Sequence, residues 1–116
     1  ILYTIMGRGC KAVRCVSTEG SDLAVGTWSD GRLGSMRGLH RGWGKSDYGA
    51  MVLCEKSFRY LKYTGDFYPN LVREMVKFFK SKQPPVAIED TLEICAFIDA
   101  AWQSSKQKGA EVKLDL

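Results

Sequence analysis

The 116-residue chain contains a single histidine, His40. One imidazole cannot supply a Ser-His-Asp or Cys-His pair in the usual spacings, nor the two ligands of a His-x-x-x-His site. Phosphate-cradling glycines are also missing, because no G-x-G-x-x-G run follows a strand and opens a helix. The near miss, Gly7-Arg8-Gly9, follows a helix and leads into a strand. The reading is therefore that this chain holds no catalytic residue, no cofactor-binding residue and no metal ligand. Four cysteines, Cys10, Cys15, Cys54 and Cys95, lack the close paired spacing of a zinc site and read as small buried thiols. A Cys10 to Cys15 disulfide stays open only for an exported parent.

Long apolar runs are lacking as well. None approaches the roughly 18 residues needed to span a bilayer, and no basic region follows Ile1 as in a signal peptide. Charge of one sign is not concentrated either: 17 basic residues are spread among 13 acidic ones, for a net +4. The densest basic stretch holds only Arg32, Arg37, Arg41 and Lys45 with glycines between them, too thin for a polyanion footprint. Neither a nucleic-acid nor a membrane partner is expected.

What is present suits a packed core. Hydrophobic residues make up 45% and charged residues 26%, as in ordinary globular proteins, and the length suits a single domain over 1–116. Ile1, Leu2, Ile5 and Met6 have helical spacing and run into Gly7, which reads as the last turn of a helix ending on a glycine. With no N-cap before it and no initiating methionine, the chain reads as the C-terminal part of a longer protein.

Short β-branched and aromatic stretches then follow between turn signals. Ala12 to Thr18 is a first strand. Asp22 to Ser29 is a second, with Leu23, Val25 and Thr27 on one face and Ala24, Gly26 and Trp28 on the other. Asp30-Gly31 predicts a two-residue hairpin turn into Arg32 to His40. Gly34 and Gly38 in that third strand mark either a bulge or the close approach of another backbone or ring. A fourth strand from Asp47 to Cys54 turns at Glu55-Lys56 into a fifth, Phe58 to Tyr63.

The period then changes to about 3.6, with Leu71, Val72, Met75, Val76 and Phe79 forming a helical stripe. Pro84-Pro85 stops it, and Glu89-Asp90 opens a second helix that ends near Gly109. This helix is apolar around most of its circumference, so it is expected to be covered on more than one side. Ala110 to Leu116 predicts a closing strand. The expected fold is α+β: a mostly antiparallel sheet, a meander of about five strands plus a C-terminal strand, with two helices on one face.

The loop region from Arg37 to Tyr48 holds the candidate substrate-binding residues Arg37, His40, Trp43 and Tyr48. Guanidinium and imidazole donors beside indole and phenol rings suit polyol or carboxylate recognition; the alternative is a solvated hairpin end. Without a visible carboxylate partner, His40 reads as a sheet-edge residue rather than a general base. Trp28 and Trp102 read as core or interface rings, and Trp43, flanked by glycines, as exposed. Apolar groups on both strand parities, Leu23 and Val25 against Trp28, predict self-association through the sheet face that the helices leave open.

The run Ile1 to Cys10, the segment Val25-Gly26-Thr27-Trp28-Ser29-Asp30-Gly31-Arg32 with Arg37-Gly38, and Asp47-Tyr48-Gly49 together resemble the Gfo/Idh/MocA oxidoreductases. So do Pro84-Pro85-Val86, Ile88 to Ile94, the Ala-rich helix after them, Lys108-Gly109 and Val112-Lys113-Leu114. The resemblance implies a parent with an N-terminal Rossmann domain binding NAD or NADP, and a C-terminal sheet that floors the active site and forms subunit contacts. It places the family's Glu-Lys-Pro and Gly-x-His-x-x-Asp/Glu motifs upstream of Ile1, so no catalytic residue carries over to this numbering. The implied role is the substrate-side and oligomerisation domain of a dehydrogenase acting on a sugar, polyol or related hydroxyl compound. Its partners would be its own Rossmann domain, a small-molecule substrate and further copies of itself. The rival is a free-standing binding or dimerisation module. A cytoplasmic location is expected, with an exported parent left open.

Overall fold

The computed structural model describes residues 1–40, 48–62, 65 and 67–115. In chain order these form α1 (Leu2–Met6), β1 (Cys10–Ser17), β2 (Ser21–Trp28), β3 (Leu33–Leu39), β4 (Gly49–Cys54), β5 (Ser57–Lys62), α2 (Phe67–Ser81), α3 (Ile88–Lys106) and β6 (Val112–Lys113). The fold is α+β, with all described strand pairs antiparallel. The domain expected over 1–116 consists of two compact units, Ile1–Ser46 with Ile88–Leu116, and Asp47–Ala87.

In the first unit the strands run β3-β2-β1-β6. Alternation turns Ala24, Gly26 and Trp28 of β2 toward α3, and Ala24 and Trp28 are each only 2% exposed. The helix meets them with one stripe, Glu93, Phe97, Ala100 and Ser104, spaced four, three and four residues apart. Cys10, Val13 and Cys15 of β1 complete the core, and Leu2, Tyr3 and Met6 of α1 pack against it.

Both ends of α3 follow from local chemistry. Glu89 and Asp90 lie in its first turn and Lys106 in its last, matching the macrodipole. At the C-terminus the Gly109 N–H donates to the Ser104 carbonyl at 2.9 Å and the Lys108 N–H to Ser105 at 3.3 Å. This is a Schellman ending, with Lys108 in the left-handed position at φ 57° one residue before the glycine.

The hairpin between β2 and β3 corrects the two-residue turn. The Trp28 N–H donates to the Arg32 carbonyl at 2.9 Å and the Gly31 N–H to the Trp28 carbonyl at 3.0 Å, so three residues, Ser29 to Gly31, form the loop. Of Asp30 and Gly31 only Gly31 has positive φ, at 86°, as in a type I turn closed by a glycine bulge. Thr27 then faces Leu33, and Leu23 faces Arg37. A one-residue difference of register exchanges the two faces of a strand, so Arg37 lies on the sheet face away from α3.

Gly34 and Gly38 resolve differently. A Cβ on Gly34 would sit 2.9 Å from the Trp28 ring and 3.0 Å from Leu2, whereas one on Gly38 would meet nothing within 4 Å. Gly34 therefore serves the close approach of a ring.

Other expectations change too. The five-strand meander divides, because β4 and β5 form a separate two-stranded sheet, joined as expected by Glu55-Lys56. The closing strand is confined to β6, paired with β1 through Ala12 and Val13. The helix covering the larger sheet is α3, accompanied by α1, while α2 belongs to the second unit. On α2, Leu71, Val72, Met75, Val76 and Phe79 form the expected stripe and are all exposed. On α3 the buried residues are the one stripe Glu93, Phe97, Ala100 and Ser104, while Leu92, Ile98 and Trp102 are more than half exposed. Cys10 and Cys15 are buried, Cys54 and Cys95 are exposed, and all four are free thiols.

Candidate functional site

Two places in the first unit gather polar side chains around a fixed geometry. The first is the loop that leaves α1. Glu93 is 5% exposed and its Oε1 accepts the backbone N–H of Gly9 and that of Cys10, both at 2.8 Å. The Trp28 indole donates to the Gly7 carbonyl at 2.9 Å, the Arg32 guanidinium to the Met6 carbonyl at 3.0 Å, and the Ser29 N–H to the Gly9 carbonyl at 2.9 Å. Four residues, one on α3 and three on the β2–β3 hairpin, thus hold the five-residue segment from Met6 to Cys10. Burial pushes the Tyr3 phenol above its ordinary range, aided by Cys10 and Glu93 nearby, and burial likewise raises the Cys10 thiol. Both groups stay protonated at neutral pH, which suits packing rather than nucleophilic attack.

The second is an open groove of about 270 Å³ beside the C-terminal half of α3. Cys15, Ala24 and Met36 line it from the strands, and Ile98, Ala101 and Trp102 from the helix. Ser17 and Asp22 line it as well, and Asp22 pairs with His40, Nε2 to Oδ2 at 2.5 Å. Hydrogen bonds from Ser17 and then His40 hold the Asp22 carboxyl below its usual range, and Asp22 in turn raises His40. Asp22 stands between the serine and the histidine. In nucleophile activation the imidazole must be the central member, so this set is no serine triad.

Of the four candidate substrate residues, Arg37 and His40 lie on opposite faces of the larger sheet. Arg37 is exposed opposite Leu23 on the face away from α3, while His40 turns to Asp22, a residue of the α3 face. Tyr48 is exposed and belongs to the second unit, and Trp43 lies outside the described residues. Trp102, expected as a core or interface ring, is 57% exposed with the Lys106 ammonium 3.4 Å from its ring centre.

Sequence reasoning missed Asp22, and the signal for it was the hairpin register. With Ser21 opposite Leu39, His40 falls diagonal to Asp22 on one face. It also missed Glu93, whose place in a helix otherwise packed with apolar groups was the clue, since a buried carboxyl group requires partners. Among the described residues no buried side-chain polar atom lacks a partner, no set of three His, Cys, Asp or Glu side chains could hold a metal ion, and no helix is long and apolar enough to cross a membrane. Compared with protein-family models, curated proteins and solved structures, the chain matches none.

Proposed function

We propose that this chain is the substrate-side and assembly portion of a nicotinamide-dependent oxidoreductase acting on a sugar, polyol or related hydroxyl compound. NAD or NADP would be held on the parent's separate Rossmann domain. The observation that carries this reading is the convergence of the segments resembling the Gfo/Idh/MocA enzymes on one place. Trp28, Ser29 and Arg32 of the β2–β3 hairpin and Glu93 of α3 all bond the segment from Met6 to Cys10. In that family the helix ending here opens with the acid/base histidine motif, so a firmly held end would fix the orientation of that motif toward substrate.

The assembly role rests on the sheet face away from α3. Val16, Leu23, Leu33 and Leu39 are each at least 46% exposed there. Large apolar side chains exposed together on one sheet face, here beside Arg37, are commonly covered by a partner. The free-standing module keeps this face but needs no nucleotide.

The test uses the intact protein, assayed for reduction of NAD and NADP with a panel of sugars and polyols. Reduction with at least one substrate is expected; a protein that binds neither nucleotide would be the free-standing module. Separately, the 116-residue chain should sediment at micromolar concentration above its 13.0 kDa monomer mass. A folded monomer at all concentrations would remove the assembly role.

A further inference from the structure

His40 sets both ring nitrogens against oxygens that have no proton to give. Nε2 faces Asp22 Oδ2 at 2.5 Å, and Nδ1 lies 3.3 Å from the Glu19 carbonyl. A neutral imidazole has one N–H and one lone pair, so in either tautomer one contact would set lone pair against lone pair. Only the imidazolium donates to both. We infer that His40 is a proton-operated clasp: as a cation it ties both Asp22 of β2 and the β1–β2 turn to the end of β3, and loss of its proton gives up one of these two ring contacts and loosens that end.

What the clasp adds is specific to β3. The β1–β2 turn is already closed by the Thr18 N–H to the Ser21 carbonyl at 2.8 Å and the Ser21 N–H to Thr18 Oγ1 at 3.1 Å. Beyond Leu39, by contrast, the end of β3 is held by the His40 N–H to the Gly20 carbonyl at 3.0 Å and by the two ring contacts. Among the described residues, the charged groups around the imidazole are Asp22 on β2, itself bonded by Ser17 of β1, and Glu19 in the turn. Of the charged residues nearest in register or across the groove, Arg37 lies on the opposite sheet face and Lys106 of α3 sits over Trp102.

The sign of the pH dependence follows. Asp22 raises the His40 pKa above its ordinary 6.5, so the clasp is fully made below 6.5 and is lost as pH rises through the higher folded midpoint. Both side chains are about two-fifths exposed. Exposed pairs contribute little to global stability, so the change is local to the end of β3 while the core beneath α3 stays intact.

Nuclear magnetic resonance of the intact protein tests this, with the His40 ring signal assigned by its loss in His40→Asn. Expected are a ring midpoint above 6.5, both ring nitrogens protonated below it, and Leu39 and His40 amide signals moving with that same midpoint while Phe97 and Ala100 stay still. Asp22→Asn should return the midpoint to 6.5 or lower. A wild-type midpoint at or below 6.5 overturns the clasp. So does a raised midpoint to which the Leu39 and His40 amides are silent.

Discussion

Phe97→Ala is expected to lower the unfolding free energy by about 3–5 kcal/mol, the range for removing a buried aromatic ring. Phe97 is 3% exposed and its ring packs edge-on to Tyr3, at 5.9 Å between centroids, and tilted to Trp28 at 6.4 Å. On the sheet side it rests on Gly26, where an added Cβ would lie 2.8 Å from the ring. Backbone cannot move in to fill the space the ring leaves, so the cavity persists and the cost falls toward the upper end. Urea titration should show a lower midpoint at unchanged slope. A loss under about 1 kcal/mol would mean that the ring is not the keystone between α1, β2 and α3.

Glu93→Ala should cost about 2–4 kcal/mol, because it strands two backbone donors away from water. The Gly9 and Cys10 N–H groups share a single acceptor, Oε1 of Glu93. The side chain sits in the stripe facing the sheet, and the methyl group that replaces it offers no acceptor. Glu93→Gln keeps an oxygen in the same place and should cost less than about half as much. The contrast between the two variants separates lost acceptor from lost volume. Equal destabilisation by Ala and Gln would show that the acceptor is not what matters. The Tyr3 hydroxyl bonds the backbone carbonyl of Glu93, so that contact survives either change.

These two residues also mark the limit of what periodicity reveals. Spacing places Phe97 on a helix and among apolar neighbours, but apolar residues surround α3, and nothing in the pattern selects Glu93, Phe97, Ala100 and Ser104 as the buried stripe. The choice was made by the partner surface: Gly26 and Ala24 supply a shallow floor where Phe97 fits, and two backbone donors await the Glu93 carboxyl group. Ser104 shows the same logic, accepting from the Cys15 N–H at 2.8 Å and donating to the Ala110 carbonyl at 2.5 Å. Its hydroxyl joins strand, helix and the segment after the helix.

Local chemistry determined a good deal. The strand positions, the Glu55-Lys56 turn, the amphipathic α2, the acidic start of α3, the stop near Gly109 and the α+β class all follow from residue type at short range, where dihedral preferences and side-chain spacing act without distant partners. What only the tertiary structure decided is the hairpin register, and with it the candidate site. Asp-Gly suits a two-residue turn and a three-residue bulged loop alike. The difference rests on Trp28, whose ring lies against α3 and needs the missing side chain of Gly34 beneath it. A two-residue turn would set Ser35 there instead and bring Arg37 under the helix. The packed ring therefore sent Arg37 to the open face and delivered His40 to Asp22, because a strand has two faces and a shift of one residue exchanges them.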